Sequence, residues 1–168
     1  MATFRDLPAL WHNALQREGE ESRHAMQIAQ LIAERASTDI VTCEADTPMR
    51  AAIDLIASRR IGALPVMQEG RIAGIFSERD VVYRVADSGG DCLGQSVGEV
   101  MTSPAITVTA QTSVDDALAL MTKRRIRHLP VMDGDAMCGF ISIGDLVKSR
   151  MDEVEAEAQA MRSYITTG

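Results

Sequence analysis

Apolar and polar positions alternate in blocks along this chain, and the blocks recur in the same order twice. A short β-prone run, Ile40-Val41-Thr42-Cys43, is followed by a polar turn and a segment with apolar residues at helical spacing, Ala52, Leu55 and Ile56. An extended apolar run follows from Ala63 to Met67, then a polar turn Gln68-Glu69-Gly70, a second extended run from Arg71 to Phe76, and a helix beginning at Ser77. The second half repeats this: Ile106-Thr107-Val108, a helix with Ala117, Leu118 and Met121, a strand from His128 to Met132, the turn Asp133-Gly134-Asp135, a strand from Ala136 to Ile141, and a helix from Ser142. Each unit therefore predicts β-α-β-β-α. Thr47 and Thr112 are the expected N-caps of the first helices, with Pro48 at the first helical position of one and Thr112 and Asp115 forming a capping box in the other.

The recurrence extends to residue identity. RRIGALPVM from Arg59 returns as RRIRHLPVM from Arg124, an offset of 65 residues (124 − 59), and fourteen of the thirty-eight positions from 47 to 84 are identical to their partners in 112 to 149. This is an internal duplication without gaps. Extended backwards at the same offset, it pairs Ile32 with Val97, Glu34 with Glu99 and Val41 with Ile106. Neither unit can cover both faces of so small a sheet, so the two are expected to pack together. The organisation read from the chain is an N-terminal helical flank over 1–31, one repeat over 32–90, a second over 91–150, and a C-terminal helix over 151–168. The stretch Asp87 to Asp91 marks the linker. In the C-terminal helix, Val147, Met151, Val154, Ala158, Met161 and Ile165 alternate steps of four and three, a heptad-like stripe. Trp11, Leu15, Ile28 and Ile32 on one flank, and Val147, Met151, Val154 and Met161 on the other, are expected to bury against the module or a twin.

Composition narrows the function. With 46% hydrophobic but only 4% aromatic residues, the core must be aliphatic. A net charge of −7 argues against general nucleic-acid binding, which needs a basic face. No apolar run approaches a membrane span, and the charged, irregular N-terminus is unlike a secretory signal, so a cytoplasmic protein is expected. The three cysteines form no CxxC, which excludes a disulfide framework and the common zinc patterns; Cys43 and Cys138 are the expected buried pair. No metal site is expected from His12, His24 and His128, which share no ligand spacing. There is no P-loop and no nucleophile with a matched base, so catalysis is not expected.

Chemistry concentrates in Gly74-Ile-Phe-Ser77-Glu-Arg79-Asp80 and its repeat Gly139-Phe-Ile-Ser142-Ile-Gly-Asp145. Glycine allows close approach to the backbone, and a helix starting after the serine offers free N–H groups and partial positive charge to a phosphate. Ser77 can donate to phosphate, and Arg79 adds a two-pronged grip. The second motif has Ile143 and Gly144 in place of Glu78 and Arg79 and lacks that grip. S-x-x-D is also a capping box, and both roles can coexist at one serine.

The pattern R-I-x-x-L-P-V, a polar turn, then G-h-h-S-x-x-D, written twice between Ile32 and Arg150, resembles the CBS-domain pair, the family that takes its name from cystathionine β-synthase. The resemblance implies tandem β-α-β-β-α repeats about a pseudo-twofold axis, with flanking helices and two clefts that bind adenine nucleotides. It implies that Asp80 and Asp145 accept from ribose hydroxyls, a task suited to an acceptor-only carboxylate. By the same resemblance, Ile106, Ile126 and Arg127 face Asp80, whereas Val41, Ile61 and Gly62 face Asp145 beside Ser142. The Asp80 cleft, with Arg79 and Arg127, is the more basic and the first choice for a ligand. The implied protein is a stand-alone, non-enzymatic regulatory module, homodimeric through its helical faces, binding AMP above all, with ADP, ATP or NAD as further candidates, and signalling to a protein partner. A scaffold with degenerate clefts is the alternative.

Overall fold

The computed structural model describes residues 26–33 and 40–166. Trp11 and Leu15 lie outside that range. In chain order the elements are α1 (Ile28–Ala33), β1 (Cys43–Glu44), α2 (Met49–Arg59), β2 (Ala63–Gln68), β3 (Arg71–Ser77), α3 (Glu78–Ser88), a 3-10 turn (Gly89–Gly94), α4 (Val97–Val100), β4 (Val108–Thr109), α5 (Val114–Arg124), β5 (His128–Asp133), β6 (Ala136–Ser142) and α6 (Ile143–Thr166). The duplicated β-α-β-β-α plan is present in both halves. Two three-stranded sheets, ordered β1-β2-β3 and β4-β5-β6, each join a short parallel pair to a long antiparallel one. Their registers correspond, down to an irregularity between Val66 and Met67 in one and Val131 and Met132 in the other. Alternation within the strands sends Leu64, Val66 and Phe76 into one core and Leu129, Val131 and Ile141 into the other.

Several boundaries differ from the sequence reading, each for a local reason. The first strands are two residues long, because β1 and β4 pair with β2 and β5 only at Cys43–Glu44 and Val108–Thr109. The N-caps fall one residue later than Thr47 and Thr112. Pro48 occupies the N-cap of α2 without a side-chain bond, and Ser113 caps α5 by accepting from the Asp116 amide at 3.0 Å. Thr112 instead closes the preceding turn, its hydroxyl accepting from the Thr109 amide at 3.2 Å. The Asp87–Asp91 stretch is not a loose linker. α3 runs through Ser88, and the 3-10 turn that follows buries Cys92 in the first core. The buried cysteines are therefore Cys43 and Cys92, whereas Cys138 is exposed. Burial, with Glu44 adding to it, pushes the Cys43 thiol up to about 11, so it stays protonated and unreactive. α6 continues unbroken past residue 150, joining the second repeat to the C-terminal helix.

The cores show how the halves depend on each other. α1, which precedes the first repeat, packs on the second: Ile28 and Leu31 are buried among Val108, Val114, Met121 and Leu129. α4, which precedes the second repeat, packs on the first: Val97 is buried with Met49, Ile56, Leu64 and Phe76. The backbone bonds repeat the exchange. Ile28 N–H donates to Thr112 and Ala29 N–H to Ala110, just as Val97 N–H donates to Thr47 and Gly98 N–H to Ala45. Ile28 is thus the counterpart of Val97, an offset of 69 residues (97 − 28), and the backward pairing of Ile32 with Val97 is corrected by four residues, close to one helical turn. The first connection is simply longer than the second. Of the flank residues, Ile28 is buried and Ile32 partly so, whereas Val147, Met151, Val154 and Met161 are exposed in this chain.

This exchange predicts that α1 is integral to the second repeat. Ile28→Ala, which empties a fully buried position, should lower unfolding free energy by about 2–4 kcal/mol in urea denaturation. A loss below about 0.5 kcal/mol would show that α1 is dispensable.

Candidate functional site

The connection that leaves α4 for the second repeat builds a cavity on its way. Thr102 pairs with Ile75 of β3 through two backbone bonds of 3.0 and 2.9 Å, extending the first repeat's sheet before the chain crosses to Ile106 beside the second. Gly74 makes this approach possible, since a Cβ there would lie 2.6 Å from Met101 Sδ and 2.7 Å from the Thr102 carbonyl oxygen. The close approach expected of a ligand at this glycine is made by the chain itself. Between the crossing segment, β3, the start of α3 and the start of β5 lies a cavity of about 310 Å³.

Ser77, Arg79, Asp80, Ile106, Ile126 and Arg127 all line it, the full set expected around Asp80. Their placement follows from local structure. Ser77 ends β3 and N-caps α3, so Asp80 lies one turn into the helix and folds back: its Oδ2 accepts from the Ser77 amide at 2.7 Å and hydroxyl at 2.6 Å. Its Oδ1 accepts from the Thr102 hydroxyl at 2.9 Å. The carboxylate is held by three donors from both sides of the cavity. Arg79 reaches across the repeats and donates through Nη1 to the Arg125 carbonyl at 2.6 Å, at the left-handed C-cap of α5. Arg127 and His128 follow on the same wall, and equivalent backbone bonds, Glu78 N–H to Gly62 within the first repeat and Ile143 N–H to Arg127 within the second, anchor the starts of α3 and α6 to the residues before β2 and β5. The sequence reading did not identify Thr102, Pro104, Ala105 and Glu78 as lining residues. The Thr102–Asp80 bond could not be read from spacing, because the two residues meet only through the Ile75 bridge.

At the second motif the Asp145 carboxylate repeats the same cap, accepting from the Ser142 amide and hydroxyl at 2.7 Å each. Gly62, expected to face Asp145, lines the Asp80 cavity, while Val41 and Ile61 pack partly buried against the first core. The segment equivalent to the Thr102–Ala105 wall is 37–40, of which residues up to 39 lie outside the described range. Among the described residues no group of His, Cys, Asp and Glu could hold a metal.

The cavity's charge is mixed: Arg79 and Arg127 are cationic, and Glu78 opposes them. His128 stacks on Phe140 with ring centroids 5.5 Å apart and lies against Gly62, where a Cβ would come within 3.2 Å of its Cε1. Burial lowers its pKa from the ordinary 6.5; Asp145 and Glu78 pull it back up, and Arg127 adds to the lowering. Such an arrangement offers an anchored carboxylate for a diol, two guanidiniums and a helix N-terminus for an anion, and isoleucines for a flat apolar group.

Comparison with known proteins places this geometry in context. A sequence model described as the CBS domain matches residues 30–87 and 97–152. The chain is 33% identical over 159 residues to "CBS domain-containing protein CBSX3, mitochondrial" of Arabidopsis thaliana, covering 92% of this chain and 77% of that one. A putative signal-transduction protein with CBS domains from Burkholderia ambifaria superposes with a TM-score of 0.71 at 38% identity, over 76% of this chain and 95% of that one. Two structures share the fold at lower identity. CBSX2 in complex with AMP has a TM-score of 0.63 at 20% identity, over 75% of this chain and 96% of that one. The CBS pair of MJ0100 from a complex with 5′-methylthioadenosine and S-adenosylmethionine has a TM-score of 0.66 at 21% identity, over 77% and 98%.

The lowered His128 pKa sets a pH dependence. Because the unfolded chain binds the proton more tightly, His128 contributes stability that is present above pH 6.5 and lost as pH falls through its lower folded value. Between pH 7.5 and pH 5.5 the wild type should lose more stability than His128→Gln does, measured by urea midpoints; a smaller loss would contradict the assignment.

Proposed function

The chain belongs to the CBS-domain family, and on that footing we propose that it is a stand-alone regulatory module that binds an adenine mononucleotide, AMP above all, in the Asp80 cavity. The observation that carries this is the convergence of an anchored carboxylate, a helix N-terminus, two arginines and two isoleucines on one inter-repeat cavity of about 310 Å³. In this reading the ribose diol donates to Asp80 Oδ1, taking the place of the Thr102 hydroxyl. The base lies between Ile106 and Ile126 against the crossing segment. The phosphate meets the Ser77 hydroxyl, the first amides of α3, Arg79 and Arg127. A cavity near the lower end of the roughly 300–1,000 Å³ range of ligand pockets suits a mononucleotide better than NAD. Binding of AMP by CBSX2, and the nucleoside ligands of MJ0100, support the ligand class. The Asp145 cleft is the weaker site, because Ile143 and Gly144 stand where the first motif has Glu78 and Arg79.

A route from binding to signal lies in Arg79. Its guanidinium donates to the Arg125 carbonyl of the opposite repeat. A phosphate draws it away, exchanging a neutral acceptor for a charged one and releasing the end of α5. The module acts in this reading as a cytoplasmic homodimer upon a protein partner. In this reading it regulates and carries no catalytic step. No helix among the described residues is long and apolar enough to cross a membrane.

AMP at 100 times its dissociation constant should stabilise the fold by about 2.7 kcal/mol, read as a rise in melting temperature. Asp80→Ala should weaken AMP roughly 10- to 150-fold by calorimetry, the loss of bonds to a charged acceptor. Arg79→Ala should cost ATP and ADP more than AMP, and more at low salt. If millimolar AMP, ATP and NAD all leave both the melting point and the calorimeter unmoved, the protein is a scaffold whose clefts take no ligand.

A further inference from the structure

Glu78 is an acid at the end of the Asp80 cavity that offers cations to an anion. It opens α3 beside Ser77 and Arg79, is exposed, and takes part in no salt bridge among the described residues. Its Oε2 would lie 3.9 Å from a Cβ on Gly62. Glu78 and Gly62 line both this cavity and a second, of about 640 Å³, between α2 and α3, so the pair marks the passage from one to the other. Beyond the passage Arg60 lines the second cavity, where a longer anionic ligand finds both room and a cation. An acid in the first turn also suits the helix dipole, but that role does not call for residue 78. Asp80 already supplies a first-turn acid to α3, and α6 starts from Ile143 with Asp145 alone.

The charges around the passage set what can use it. Arg79 and Arg127 are the cations of the Asp80 cavity. His128 lies beside them, but burial holds it below its ordinary pKa, so it is largely uncharged at pH 7.5. Two guanidiniums match one phosphate monoester, which carries about two negative charges near neutral pH. Each further phosphoryl group adds negative charge, meets no further cation in the cavity, and reaches Arg60 only past Glu78. We propose that Glu78 is a specificity-determining residue whose carboxylate selects nucleoside monophosphates over di- and triphosphates by charge. The inference rests on the reading of the Asp80 cavity as an AMP site and adds to it the reason for the short ligand. The exclusion is electrostatic and not steric, since the space beyond the passage is open. In the second motif Ile143 and Gly144 replace the acid and the arginine together, so that cleft has neither the grip nor the selection.

Calorimetry on the full chain at low salt and pH 7.5, with magnesium chelated, tests the selection through the ratio of ATP to AMP affinity, which a merely structural role would not move. The wild type should bind AMP more tightly than ATP. Glu78→Gln should raise ATP affinity roughly 5- to 30-fold and move AMP by less than about threefold, because only the longer ligand passes the carboxylate. Glu78→Asp, which keeps the charge, should keep the preference for AMP. The gain in Glu78→Gln should shrink at about 1 M salt, and Glu78→Gln/Arg60→Ala should lose most of it. A ratio that Glu78→Gln leaves unchanged, in a protein that binds AMP, overturns the selection and leaves the AMP site standing. A gain that survives Arg60→Ala overturns the passage as its cause. A wild type that binds neither nucleotide fails the AMP reading itself, and the selection with it.

Discussion

Each half of this protein lends the other the helix that closes its core. α1 seals the second repeat with Ile28 and Leu31, and α4 seals the first with Val97. A three-stranded sheet with one two-residue strand cannot exclude water from its own apolar face, so neither repeat is complete alone. The connection from α4 to the second repeat follows as a consequence. It crosses from its bridge with Ile75 of β3 to Ile106 beside the second sheet and leaves a space walled by both repeats. The cavity is a product of the exchange, as a pocket between two independently folded domains would not be.

This origin explains the cavity's chemistry. Asp80 belongs to the first repeat, but its carboxylate is fixed partly by Thr102, a residue of the crossing segment. Arg79 starts in the first repeat and ends at the α5 terminus of the second. Any ligand that competes for these groups changes how the repeats hold each other, so binding and inter-repeat geometry are one equilibrium. The duplication supplies two such frames, and divergence has treated them differently. Ser-x-x-Asp is kept in both, whereas Arg79 corresponds to Gly144.

Much of this was legible in the sequence because it is local. Strand alternation and the paired motifs with Ser77, Arg79 and Asp80 follow from spacing and from the duplication, whereas Ile106, Ile126 and Arg127 are expected on the cavity wall only through the family resemblance. What escaped was set by contacts distant in sequence. The four-residue correction that pairs Ile28 with Val97 depends on where each helix docks, not on similarity between their sequences. Thr102 has no motif to announce it. Its role comes from a bridge to Ile75 that Gly74 permits. The Asp87–Asp91 stretch looked like a linker by composition, but Cys92 just beyond it is pinned in the first core. Cys138 read as buried because cysteine usually is, yet it falls at an outward position of β6.

The central claim is that one adenine mononucleotide engages both repeats at once. Amide hydrogen exchange with and without AMP tests it directly. The account predicts slowed exchange in three separated segments together: the start of α3 at Glu78–Asp80, the crossing segment at Thr102–Ile106, and the α5 to β5 turn at Ile126–His128. Protection confined to one repeat, or absent from all three segments while AMP is bound, would contradict it.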